Sequence, residues 1–168
     1  MENITNTPFS VIYNSFLSKI TDDMYMELTA EDTKKLLEEL LLTAIYKFEF
    51  PRFNIHDYVK SSINEQGEIV GGYYNSILTQ EEVNIISTYM IVEWLGQQLA
   101  SVENVRMKYS GSDFKFTSQA NHMAKILSMK KDYEREGFHL QRLYKRRTVN
   151  EKGEIKSSFG SIMDGGSR

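Results

Sequence analysis

The sequence predicts a mainly α protein: a helical bundle around one central apolar helix, with a β-hairpin arm inserted in it and an extended C-terminal tail. Three observations carry this. Residues 78–99, LTQEEVNIISTYMIVEWLGQQL, repeat apolar side chains at three- and four-residue spacing on two faces, so other helices must cover them from at least two directions. Two further stretches, around residues 29–48 and 118–147, have an apolar face of the same period. Between residues 52 and 77 that period fails, and β-branched and aromatic residues gather around Gly67 instead, as in a hairpin. The chain therefore divides into a helical domain, residues 1–147, with an arm inserted at about 52–77, and a tail, residues 148–168.

The first helix should start at Thr7 or Pro8, because proline suits a first helical turn, and it carries Phe9, Ile12, Tyr13, Phe16, Leu17 and Ile20 on one face. A connection over 21–28 holds Asp22 and Asp23 beside Met24, Tyr25 and Met26. Thr29 then caps a second helix with Glu31 and Asp32 in its first turn, where the helix dipole favours carboxylates. Leu36, Leu37, Leu40, Leu41, Ala44, Ile45 and Phe48 form its stripe, and Pro51 ends it. In the central helix, Thr79 and Glu82 have the spacing of a capping box. Residues 105–109 read as a short extended segment before a turn at Ser110, Gly111 and Ser112, and a long charged helix follows over 118–147, with Gly137 as a possible bend.

The tail has too few apolar residues for a core of its own. Its segment VNEKGEI (149–155) repeats the arm's INEQGEI (63–69) almost residue for residue. In both, glycine stands where a hairpin turn needs a left-handed residue. Two explanations stay open: shared turn chemistry, or two hairpins that add strands to one another within or between copies of the chain.

Composition narrows function. The chain has 168 residues, enough for one domain with a substantial core. Twenty basic and 23 acidic side chains give a net charge of -3, which argues against a dedicated nucleic-acid binder. There is no cysteine, which excludes disulfides, thiolate metal sites and a cysteine nucleophile. The opening MENITNTPFS lacks a basic region followed by an apolar core, so no signal peptide is expected, and residues 78–99 are too punctuated by polar side chains for a membrane span.

Chemistry-bearing patterns are sparse. His56, His122 and His139 are far apart, with no metal-ligand spacing. No phosphate loop and no glycine-flanked serine elbow occurs. Glu81 and Glu82 are adjacent in a first turn, where capping and the dipole account for them. Hence no catalytic, cofactor or metal residue is expected, and no enzyme. Arg142, Lys145, Arg146 and Arg147 form the one basic cluster; it suits a solvated helix end, an acidic protein partner or DNA phosphate. Phe50, Phe53, Tyr73 and Tyr74 flank the arm outside any helical stripe and are candidate contacts between subunits, or else pack the arm onto its own domain.

The stretches LTAEDTKKLLEELLLTAIYKF, LTQEEVNIISTYMIVEWLGQQL and FTSQANHMAKILSMKKDYEREGFHLQRLYKRR, within residues 28–147, resemble head-to-tail connector, or adaptor, proteins of the tailed-bacteriophage neck. The most telling parts are MIVEWL (90–95) and FTSQANH (116–122). The resemblance implies a structural virion protein, made in the host cytoplasm, whose copies form a dodecameric ring docked on the portal protein, between capsid and tail. It implies contact with the next neck protein, a stopper or tail terminator, and a lumen through which genomic DNA passes without sequence-specific contact. It also implies that a C-terminal segment reaches the portal, which makes Phe159, Ile162, Met163, Arg146 and Arg147 the candidate docking residues. Mild acidity suits a channel that must not hold DNA. No membrane is involved. The alternative is a small helical phage regulatory or nucleic-acid-binding protein that uses the basic cluster.

Overall fold

The computed structural model describes residues 6–20, 29–52, 54–67, 69–108, 116–149 and 155–157. Strand β1 (Thr7–Pro8) leads into α1 (Phe9–Leu17), and α2 (Ala30–Ala44) continues into a 3-10 turn, Ile45–Lys47. Four two-residue strands follow: β2 (Tyr58–Val59), β3 (Ser62–Ile63), β4 (Ile69–Val70) and β5 (Tyr73–Tyr74). Two long helices, α3 (Gln80–Lys108) and α4 (Phe116–Lys145), precede β6 (Arg147–Val149) and β7 (Ile155–Ser157). The mainly helical fold with a small β arm is the one that the hydrophobic periods predict.

Helix α3 is the hub, and α1, α2 and α4 all pack on it. It opens with the expected reciprocal cap: the Thr79 amide donates to Glu82 Oε2 (2.7 Å) and the Glu82 amide to Thr79 Oγ1 (3.3 Å). Every residue from 85 to 92 is buried, Ser87 and Thr88 included, so the two apolar faces are covered as their presence requires. Helix α1 contributes Phe9, Ile12 and Phe16, and α2 contributes Leu37, Leu40, Leu41 and Ala44. Thr29 caps α2 by accepting from the Asp32 amide. Burying each large apolar side chain contributes about 1.5–3 kcal/mol, so this shared core fixes how the helices stack.

Helix α4 runs along α3 in the most extensive helix–helix contact of the fold, yet buries few of its own residues. Ile126, Gly137, Gln141 and Tyr144 are its buried residues among those described, while Leu127 and Phe138 remain exposed. Gly137 permits close approach: a Cβ there would sit 2.9 Å from the Tyr89 ring.

Three local expectations are corrected. Thr7 and Pro8 are not the first turn of α1 but a strand paired with β5, and Pro8, extended at ψ 142°, is the N-cap; with no amide to donate, proline is tolerated on this edge. Residues 105–108 continue α3 rather than extending, since nothing from Ala100 to Lys108 breaks a helix and Ala, Glu, Arg, Met and Lys favour one. The long helix spans Phe116–Lys145, and Arg147 begins a strand. The connection 21–28 and the turn at 110–112 lie outside the described residues.

The arm has two parts. Its base is an antiparallel sheet in the order β1-β5-β2, with Tyr74 opposite both Thr7 and Tyr58. Beyond it stands a separate hairpin, β3–β4, with Ile63 opposite Ile69. Gly67 takes the turn at φ +79°, a conformation that favours glycine, and Asn64 accepts from the Gln66 and Gly67 amides. The tail opens with a second hairpin, β6–β7, in which Val149 lies opposite Ile155. The two related heptads therefore share a register as well as a sequence, yet each hairpin is a two-stranded sheet of its own.

Candidate assembly surface

Arm and tail spring from one buried junction where the start of α3 meets the end of α4. Glu82, fully buried, accepts from the Thr79 amide and hydroxyl through Oε2, and from the Tyr144 hydroxyl through Oε1. A buried carboxylate is tolerated only when donors satisfy it, and three do. The Arg52 amide donates to Tyr144 Oη (3.2 Å), and its guanidinium lies 4.2 Å from the centre of the Tyr144 ring and donates to the Arg147 carbonyl (2.8 Å). Gln141 extends the network one turn back: its amide donates to the Lys47 carbonyl and to Tyr89 Oη, and its Oε1 accepts from the Glu49 amide. Burial, then the bond and charge of Glu82, hold the Tyr144 hydroxyl well above the usual tyrosine range, against the opposing Arg52. Arg52 thus fixes the root of the arm and the start of β6 to the same tyrosine.

The aromatic candidates divide. Tyr74 is fully buried, edge-on to Phe9 (5.0 Å) and Tyr58 (6.2 Å), so its ring serves its own domain. Tyr73 is half-buried in β5. Phe50 is exposed, with the Lys145 ammonium 4.0 Å from its ring centre. Phe53 lies outside the described residues.

The basic candidates are mostly engaged. Arg147 pairs with Glu81 (2.7 Å), Arg142 lies 5.9 Å from the Phe138 ring centre, and Arg146 is exposed. Phe159, Ile162 and Met163 lie outside the described residues.

One constellation with the look of chemistry is structural. Lys19 Nζ lies 2.8 Å from Ser87 Oγ and 2.7 Å from Asn84 Oδ1, and Ser15 donates to Ser87. Burial pulls the Lys19 pKa down, opposed by the charge of Glu136. Ser87 is fully buried between α1 and α3, so its hydroxyl is closed to a substrate and the set fastens the end of α1 to α3. Among the described residues no group of three or more His, Asp or Glu side chains has metal-binding geometry, and no helix is long and apolar enough to cross a membrane.

A 340 Å³ groove lies between α2 and the β3–β4 hairpin, with Glu31, Lys35 and Glu38 on one wall and Ile63 and Ile69 on the other. The Ser61 amide crosses it to donate to Glu38 Oε1 (3.2 Å), tying the start of β3 to α2.

Sequence reasoning finds the Glu82 cap and the Gly67 turn but not Arg52, Gln141 or Tyr144. Their partners lie 52 to 95 residues away, and no spacing rule signals such contacts. Comparison with protein families, with curated proteins and with solved structures finds no match.

Proposed function

We propose that this chain is a non-enzymatic subunit of the tailed-phage neck: a ring-forming head-to-tail adaptor that docks on the portal and lines part of the DNA channel. The observation that carries the reading is the resemblance of three segments to connector proteins, and those segments correspond to α2, α3 and α4, the helices that make the bundle. The build of the molecule supports it: a well-packed hub with two small hairpins beside it suits a subunit that works by reaching neighbours. The state of the basic cluster speaks against the regulatory or nucleic-acid-binding alternative. Arg147 is paired and Lys145 is held over Phe50, which leaves few free cations for phosphate.

The partners that follow are other copies of the chain in a ring of about twelve, the portal, the next neck protein and the passing genome. The test mixes the chain with the portal of the phage that encodes it and measures sedimentation. A stoichiometric complex near the ring size is expected. Binding to duplex DNA with a steep salt dependence, and none to the portal, would favour the alternative.

A further inference from the structure

We infer that the outer strand of the tail hairpin, β7, adds to the outer strand of the arm hairpin, β4, of a second copy of this chain, giving an inter-subunit sheet in the order β3–β4–β7–β6.

The two hairpins are built alike. Each is an antiparallel pair whose strands are separated in sequence by the same Asn-Glu-X-Gly-Glu segment, with apolar β-branched residues opposite one another on either side of it: Ile63 with Ile69, Val149 with Ile155. In each, the first strand is tied to the body at its foot. The Ser61 amide binds Glu38 at the foot of β3, and Arg147 at the foot of β6 is held by Glu81 and Arg52. Among the described residues β4 pairs only with β3 and β7 only with β6, so each of the two keeps one unpaired edge.

Such an edge is a template for another strand, and proteins that must not use one protect it with lysine, proline or a covering element. Strand β4 has none of these among the described residues: it is Ile69–Val70, followed by Gly71 and Gly72, with Val70 48% exposed and Ile63 behind it 64% exposed. Two-stranded hairpins this short are marginal in water, whereas three or more strands support one another.

Charge selects the occupant. Residues 146–157 carry four cations, of which Arg147 is paired with Glu81, against two carboxylates, and residues 60–71 carry one cation against two. The tail hairpin is therefore complementary to the arm hairpin, while two copies of either would repel. Within one chain the hairpins form separate sheets, so the partner strand comes from another copy. A contact between two different patches is head-to-tail, and repeated with rotation it closes a ring. The inference thus deepens the adaptor reading by naming the contact that joins subunits.

The absence of cysteine makes the test clean. One preparation carries Val70→Cys; others carry Ile155→Cys, Lys156→Cys or Ser157→Cys singly. Each is mixed with the first under mild oxidation, free at high concentration and bound to portal rings, with circular dichroism confirming the fold. A disulfide between the Val70→Cys chain and at least one β7 variant, at a yield several-fold above either self-crosslink, is expected in one or both settings. The preferred β7 position reports the register. Rings on the portal with no such crosslink would overturn the strand addition and leave the adaptor reading standing. A free-state crosslink without portal binding would support the strand addition and count against the adaptor reading. No crosslink in either setting, or an intrachain disulfide in a chain carrying both Val70→Cys and Lys156→Cys, would also overturn it.

Discussion

Replacing Glu82 by alanine should cost about 3–5 kcal/mol, a large part of the 5–15 kcal/mol available to a domain. The carboxylate ends three interactions at once: the Thr79 amide at 2.7 Å, the Thr79 hydroxyl at 2.9 Å and the Tyr144 hydroxyl. Truncation removes half of a capping box, roughly 1 kcal/mol. It leaves the buried Tyr144 hydroxyl without its acceptor, about 1–3 kcal/mol. It also removes packed methylene, about 0.8 kcal/mol per group. Glu82→Gln keeps the volume and an acceptor, so its loss should be nearer 1 kcal/mol. Because Tyr144 and Glu82 share one bond, Tyr144→Phe combined with Glu82→Ala should cost less than the two single changes added. Urea unfolding followed by the fluorescence of the single tryptophan, Trp94 on α3, alongside circular dichroism, measures all of these with one native reporter. A Glu82→Ala protein within about 1 kcal/mol of the parent would refute the view that this junction holds α3 and α4 together.

Three other outcomes follow from the same packing. The Tyr74 hydroxyl is buried with no hydrogen-bond partner among the described residues, so Tyr74→Phe should be neutral or stabilising by up to about 1 kcal/mol; a loss above that in thermal melts would mean the hydroxyl is satisfied. Burial, joined for Tyr13 by the charge of Glu38, raises the pKa of Tyr13, Tyr74 and Tyr144 above the ordinary 10.0. The unfolded chain releases these protons first, so stability should hold below about pH 10 and fall as pH rises beyond it. Absorbance of tyrosinate should then show a late cooperative step coincident with unfolding, and gradual ionisation of every tyrosine in a folded chain would contradict this. Deleting residues 160–168 should leave the helical dichroism and melting unchanged while portal attachment falls; loss of the fold would show that the tail belongs to the core.

Local and periodic features were legible in the sequence. The Thr79–Glu82 cap, the Leu37–Ala44 stripe and the Gly67 turn depend on residues within a few positions of each other, and each forms as its spacing predicts. Boundaries were less so. Pro8 is equally acceptable in a first turn or on a strand edge, and only β5, 65 residues on, selects the edge. The split of the arm into a docked sheet and a separate hairpin tied to α2 also eluded pattern, because Tyr74 reads as a loose aromatic until Phe9 and Tyr58 are seen around it. The junction was invisible for the same reason: Arg52 and Tyr144 meet through tertiary packing, which leaves no period in the chain.

The most direct test of the adaptor assignment is electron cryo-microscopy of this chain mixed with portal rings from the phage that encodes it. A closed ring seated on the outer end of the portal is expected, with α3 inside each subunit and arm and tail crossing between neighbours. Portal rings that stay bare, while the chain remains a monomer or dimer that binds duplex DNA, would contradict it.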